Sequence, residues 1–496
     1  MMKRVIPWAI FAVFVASVAV SALGWRATSR EGFDLGAFGR LPVSFGGRVR
    51  PMESVGRMGL LQVRGTVDVP LGQGDGRWAI GGNRLSSTEW LLEVLVKPDV
   101  ADTRRVFPVG DPTLVSKLHL EPAADAAGYF TFKELSPHDA EISKEANRIG
   151  KILPAKRAAW ERELFALRLR LASYERLKNS LQGNSLLQLE AKGAPLQYDL
   201  AALLTTYRAN LAEAAKVAVR RQRGGAGATL DGQKVSDMMA FARPFTAVSR
   251  IGVIAMIPPE RAGDSRAGWK NMGEVIVNSA RTARLPAPVT QLVAITSEFA
   301  HGSPATFNRL VDVYGRWLSS NGLGPALRRA RYESFYNLLQ PYAKAIALYL
   351  VALLFICGSW AGRSTTLYRS GLLVAALAIA LHSAGLLLDM MLTGRLPVFG
   401  PLALMALVSW AVAVGAFIFE RSSWSSGRGS ALAIGAAAAL LTLVAAHALT
   451  PAGLTLVVAE VVSVPFAVAV LLALMMLPLG RERAIQAPAG AAPVPA

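Results

Sequence analysis

Residues 331–360, RYESFYNLLQPYAKAIALYLVALLFICGSW, divide the chain into two kinds of sequence. Up to Gln340 the residues are mostly polar and broken by Gly and Pro. Beyond Pro341 they are almost continuously apolar. Between Tyr342 and Trp360 only Lys344 is charged, and a run of that length can cross a bilayer as a helix. Four further apolar runs follow, near 367–392, 401–420, 430–448 and 454–479. The expected fold class is therefore mainly α: a polytopic helical membrane protein carrying a large, mostly helical polar domain ahead of its bundle.

The amino terminus adds a sixth apolar run. Lys3 and Arg4 precede an uncharged stretch from Val5 to Leu23. The stretch is long for a signal peptide and reads as a retained anchor; cleavage near Val20-Ser21-Ala22 is the alternative. Short loops orient such a chain by their Lys and Arg content. With the amino terminus inside, the inner ends carry Lys3, Arg4, Arg363, Arg369, Arg421, Arg428, Arg481 and Arg483, and the short outer loops near 393–400 and 449–453 carry only Arg395. The pattern predicts six spans, both termini cytoplasmic, and residues 26–340 outside.

Charge and cysteine content narrow the function classes. The formal net charge is +19, spread along the polar part rather than clustered. Such a surface suits anionic lipid head groups, an acidic partner or the propionates of haem, and equally a plain solvated basic surface. No nucleic-acid motif accompanies it. The single cysteine, Cys357, lies inside an apolar run, so no disulfide framework or CxxC chemistry is expected. His119, His138 and His301 are in the polar part, without metal-site spacing.

Along the polar part, residues 26–135 form a Gly/Pro-rich mixed region. Gly39–Val43 and Gly47–Pro51 read as turns bracketing short extended pieces. GQGDG at 72–76 has no GK[ST] after it and is not a phosphate cradle. Ser86-Ser87-Thr88-Glu89 opens a helix, and Ser136-Pro137-His138-Asp139 offers a cap, a proline at the first position and an acid. Pro154 should end or kink that helix. Trp160, Leu164, Leu167, Leu171 and Tyr174 repeat at 4-3-4-3 spacing. That stripe predicts a helical-hairpin arm over 136–222, with a second helix near 197–221 packing back on it. Gly224–Gly227 reads as a linker, 223–340 as a further helical region, 341–480 as a five-span bundle and 481–496 as a cytoplasmic tail.

Ionisable residues inside apolar spans are costly and default to functional candidates. His382 falls near mid-span and Asp389 seven residues on, so both share one helical face about 10 Å apart along the axis. Arg395 follows in a loop, His447 lies at the end of the fifth run, and Glu460 lies in the sixth. Four of these five gather toward the outer side in the predicted topology. The plain alternatives are an Asp389–Arg395 pair and a single interhelical hydrogen bond for His382.

Three blocks resemble the large bacterial cytochrome c assembly proteins of the CcsA/ResC (system II) type. FGRLPVSFGGRVRPMESVGRMGLLQVRG (38–65), continuing into LSSTEWLLEVLVKPDVADTRRVFPV (85–109), is similar to their LPV…GRVKPLDT segment. RYESFYNLLQPYAKAIALYLVALL resembles their approach to the membrane at Glu333, Tyr336, Asn337, Pro341 and Tyr349. LHSAGLLLDMMLTGRLPVFG (381–400) is similar to H..GL……GR.PV, with Asp389 where an arginine is usual and Phe399-Gly400 in place of a polar pair. The tryptophan-rich WGxxWxWD haem-handling motif does not occur in the sequence.

The resemblance implies the front half of such a protein, in the bacterial inner membrane with its large domain outside. It implies a non-enzymatic subunit that holds apocytochrome c or docks a WWD-bearing haem-handling partner and a ResB-like protein, among membrane lipids. Haem would come through the partner; if it reaches this chain, His382 and His447 are its candidate ligands. Asp389, Arg395, Glu460, Glu333, Asn337 and Pro341 complete the candidate functional residues. A solute-binding transporter or sensor and a ligand-free scaffold are the competing expectations.

Overall fold

The computed structural model describes residues 2–23, 32–71, 84–121, 128–182, 200–222, 231–259, 268–362, 364–396, 401–422 and 429–448. The protein is mainly helical. It separates into two compact units: Arg26–Ser334, and Met1–Trp25 with Phe335–Ala496.

In the first unit a short helix, α2 (Leu35–Gly39), is capped by Asp34, whose carboxylate accepts the Ala37 N–H at 2.7 Å. A hairpin follows, β1 (Pro42–Phe45) against β2 (Arg48–Pro51). Its turn is Gly46-Gly47, both at positive φ, as a tight hairpin turn requires. Of the stretches expected as turns, Gly39–Val43 does turn at Arg40-Leu41 before β1 begins at Pro42, whereas Gly47–Pro51 is mostly the strand β2 itself. The glycine pair supplies the turn, and the Val and Phe around it pair as strand.

The hairpin leads into α3 (Met52–Val63). Then come β3 (Asp68–Pro70) with β4 (Arg84–Ser86), α4 (Ser87–Val96), α5 (Pro98–Ala101), β5 (Arg105–Pro108), α6 (Pro112–Lys117), and β6 (Tyr129–Thr131) paired with β5. Ser86 caps α4 by accepting the Glu89 N–H at 3.2 Å, as expected. After α7 (Phe132–Leu135) the Ser136 cap does not form. Ser136–His138 is a single 3₁₀ turn, and α8 (Asp139–Gly150) starts after it with no side-chain cap. A second 3₁₀ turn at Pro154 separates α8 from α9 (Ala159–Lys178).

The α9 stripe is buried, with Leu164, Leu167, Leu171 and Tyr174 all inaccessible and Trp160 half-buried. Its partners differ from the expected arm. α9 packs on α8, α3 and α4, whereas α10 (Leu200–Gln222) packs on α11 (Gly232–Ile251) and α13 (Ala287–His301). The physical reason is Gly59 on α3: a Cβ there would meet Leu177 at 2.9 Å and Trp90 at 3.1 Å. This close approach covers the stripe, so the hairpin is α8–α9 and belongs to one common core. The unit continues through α12 (Met272–Thr282), α14 (Pro304–Leu318) and a π-turn at Ser319–Leu323.

α15 (Gly324–Leu339) precedes the apolar bundle of the second unit: α1 (Met2–Leu23), α16 (Pro341–Gly362), α17 (Thr365–Thr393), α18 (Pro401–Arg421) and α19 (Ser430–Ala448). α16 packs along α17 and also on α19, α18 packs on α19, and α1 packs on α17. Small residues set the approach: a Cβ on Gly435 would lie 2.2 Å from Ala416, and one on Gly371 2.9 Å from Ile356. Among the described residues, three helical stretches are long and apolar enough to cross a membrane, in Pro304–Gly362, Thr365–Thr393 and Pro401–Arg421; Val5–Ala19 and Ser430–Ala446 are shorter apolar stretches. The run 454–479, with Glu460, lies outside the described residues, as do GQGDG at 72–76 and the expected linker at 224–227.

Candidate functional site

The polar residues of the bundle form two groups near opposite ends of α17. Gln340, in the left-handed backbone region, separates α15 from α16, and Pro341 opens α16 where its missing N–H has no helical partner to lose. This start points Tyr342 at α17, where its hydroxyl donates to Asp389 Oδ2 at 2.7 Å. Tyr336, from α15, also hydrogen-bonds Asp389. The carboxylate that reads as a partner for Arg395 is thus held by two phenols, and Arg395 is exposed beyond the end of α17.

One turn of α17 earlier, Gly385 leaves room for the Tyr342 ring: a Cβ there would fall 2.8 Å from it. Further inward on the Asp389 face of α17 is His382, fully buried. Its Nε2 lies 3.0 Å from the Ala406 carbonyl of α18, and its Nδ1 lies 3.3 Å from the Tyr349 hydroxyl of α16. A carbonyl only accepts, so the neutral ring carries its proton on Nε2. Nδ1 is then the acceptor, and Tyr349 donates to it. Tyr342 and Tyr349 pack edge-on around the imidazole.

Both ring nitrogens are therefore committed, and three helices close over the ring. Ligation of haem iron through His382 would require one ring nitrogen to release its partner, Tyr349 or Ala406. His447 belongs to the last turn of α19, and its side chain lies outside the described residues. Among the described residues no cluster of three or more His, Cys, Asp or Glu is placed to hold a metal ion.

The second group lies at the start of α17. Tyr368 donates to Glu420 Oε1 at 2.9 Å, and the Gly429 N–H donates to the same oxygen at 2.8 Å. Glu420 is 4% exposed. Tyr368 and Asp389 are 21 positions apart on one helix, about 30 Å along its axis, which is the thickness of a bilayer's hydrocarbon. Among the described residues the carboxylates inside the apolar bundle, Asp389 and Glu420, thus lie at two levels one membrane core apart, each accepting a phenol hydroxyl, while Glu420 Oε2 is buried without a hydrogen-bond partner.

Tyr349, Tyr368 and Glu420 were not among the residues the sequence singles out as partners. The available signals are a phenol inside an apolar run and a carboxylate before Arg421.

Glu333, the remaining candidate, belongs to the first unit. β2 presents Arg48 and Arg50, two residues apart, on one face of the hairpin. Arg48 lies 3.1 Å and Arg50 3.4 Å from the Glu333 carboxylate, and the Ser54 hydroxyl donates to it at 2.9 Å. Glu333 is buried, whereas Arg48 is largely open to solvent. The clasp joins α15 to the hairpin and to the first turn of α3. Asn337 is half-buried one helical turn further on and belongs to the bundle unit. No family model matches the chain, and no curated protein matches it.

Proposed function

We propose that the chain is a non-catalytic membrane subunit of a system II cytochrome c maturation machine. It holds apocytochrome c and docks a WWD-bearing, haem-handling partner together with a ResB-like protein. The observation that carries this reading is the Glu333 clasp. Arg48, Arg50 and Ser54 come from the 38–65 block and Glu333 from the 331–354 block, so two segments that resemble the family converge on one buried carboxylate. Haem is carried by the partner in this reading, which is supported by the engagement of both His382 ring nitrogens with Tyr349 and Ala406. In this reading the chain crosses the bacterial inner membrane six times, with both termini cytoplasmic and residues 26–340 on the outer side.

The test is a deletion and a tagged copy in the native host. Deletion should abolish covalent cytochrome c, and the tagged protein should copurify with a tryptophan-rich membrane protein. The complex should show a haem absorption band that the isolated chain lacks. Undiminished cytochrome c in the deletion strain overturns the reading.

A further inference from the structure

We infer that the first unit carries a binding site for a phosphomonoester group, built from Arg40, Arg316 and Arg331 around a cleft that Gly315 leaves open. The cleft has a volume of 570 Å³ and lies between the end of α2, the last turn of α14 and the start of α15. Three guanidinium groups and one carboxylate, Asp312, line it. The excess is two positive charges, which matches the charge of a phosphomonoester near neutral pH. Planar guanidinium forks also suit its oxygens in geometry.

Two further observations point to an occupant. Gly315 sits inside α14, where glycine costs about 1 kcal/mol of helix stability relative to alanine. Nothing in the fold requires it, since a Cβ there would meet no atom within 4 Å. The helix therefore forgoes a side chain at one of its positions along the cleft, between Asp312 and Arg316. In addition, Arg40 and Arg331 oppose each other electrostatically. Burial is the main influence lowering the Arg40 pKa; Asp34 opposes it, Arg331 adds to it and Asp312 opposes it. Asp34 and Asp312 already offset part of that opposition, and a dianion in the cleft would add to their effect on both guanidinium groups.

The phosphomonoester has two sources, a soluble metabolite or a lipid head group, and one titration distinguishes them. The full chain in detergent is titrated at fixed ionic strength with glycerol phosphate, with a water-soluble short-chain phosphatidate and with succinate. Saturable binding of both esters assigns the soluble group, and binding of phosphatidate alone assigns the head group. Arg331→Gln should weaken binding at least tenfold. Gly315→Leu, which fills the cleft without altering charge, should weaken it as much while leaving the melting temperature unchanged or higher. Arg250→Gln, an exposed arginine elsewhere on the unit, should bind as the parent does.

Should Arg331→Gln fail to fold, protection of Arg331 from phenylglyoxal by the bound ester in the parent protein reads the same contact. The inference fails if neither ester binds above the ionic-strength control. It also fails if succinate binds equally well, or if Gly315→Leu retains full affinity.

Discussion

The Glu333 carboxylate accepts a hydrogen bond from Arg48 at 3.1 Å, across 285 residues of chain. Most of the Coulomb attraction is screened, because Arg48 reaches solvent; the Ser54 bond, which is buried, is not. Ser54→Ala should therefore cost about 1 kcal/mol. Glu333→Ala should cost about 2 kcal/mol, because it removes the acceptor of the buried Ser54 bond together with the partner of Arg48 and Arg50. Limited proteolysis of the membrane-inserted protein checks both. Equal cleavage rates in parent and Glu333→Ala would mean that the clasp does not hold the unit together.

Leu167 is fully buried in the middle of the α9 stripe. Leu167→Asp places a carboxylate in that core without a partner and should cost more than about 4 kcal/mol. Rapid degradation of the first unit, with the bundle still inserted, is the expected result on immunoblots of membranes. Unchanged cleavage would show that the stripe is not covered in the folded protein.

Tyr174 sets an alkaline limit. Its hydroxyl donates to Asp102 at 2.9 Å, beside the buried Lys178 ammonium at 2.6 Å from the same carboxylate. Burial raises the Tyr174 pKa well above 10.0, and the Asp102 charge and hydrogen bond add to this. The folded state thus binds the phenolic proton more tightly than the unfolded chain does. The resulting stability is fully present below pH 10 and is lost as pH rises from there through the higher folded value. Denaturant midpoints at pH 8 and pH 11 should diverge strongly in the parent and less in Tyr174→Phe. Equal pH dependence of the two proteins would remove Tyr174 from this role.

What the sequence reveals and what it hides have separate causes. Ser86 and the α9 stripe are legible because cap chemistry and periodicity are local. The partner of the stripe is not, since periodicity shows that a face is apolar without showing what covers it; Gly59 on α3 decides that. Glu333 is visible as a motif residue, but its arginines lie in a hairpin nearly three hundred positions away. His382 and Asp389 stand out as polar residues in an apolar run, whereas Tyr342 blends into the preceding span, where a phenol ring is at home, and Tyr349 is visible as a motif residue without its partner. Glu420, beside Arg421, carries no local signal of burial; Tyr368 and the Gly429 N–H bind it from other parts of the bundle.

The proposed orientation has a direct test. A reporter active only outside the cytoplasm, fused after Gly227 or Ala452, should be active. The same reporter after Arg428 or Arg483 should be silent, because the positive-inside bias puts those arginines in the cytoplasm. Activity after Arg428 would invert α18 and α19 and with them the assignment of the Asp389 level to the outer side.

His382 separates a structural role from haem ligation. Its two hydrogen bonds tie α17 to α16 through Tyr349 and to α18 through Ala406. His382→Ala removes both and leaves a void among Tyr342, Tyr349 and α18. Individual bonds in a membrane bundle are worth about 0.6 kcal/mol each, so the void supplies most of an expected loss of about 2 kcal/mol or more. The Ser409 hydroxyl also donates to the Ala406 carbonyl, at 2.9 Å, and keeps that acceptor satisfied. Tyr349→Phe deletes only one bond and should be milder. Membrane immunoblots and cytochrome c yield, measured on the same cells, read the outcome. In His382→Ala the amount of inserted protein and the yield should fall together, leaving the yield per protein unchanged. A fall in yield at constant protein level would mean that the imidazole leaves its two partners to bind iron, which would return haem to this chain.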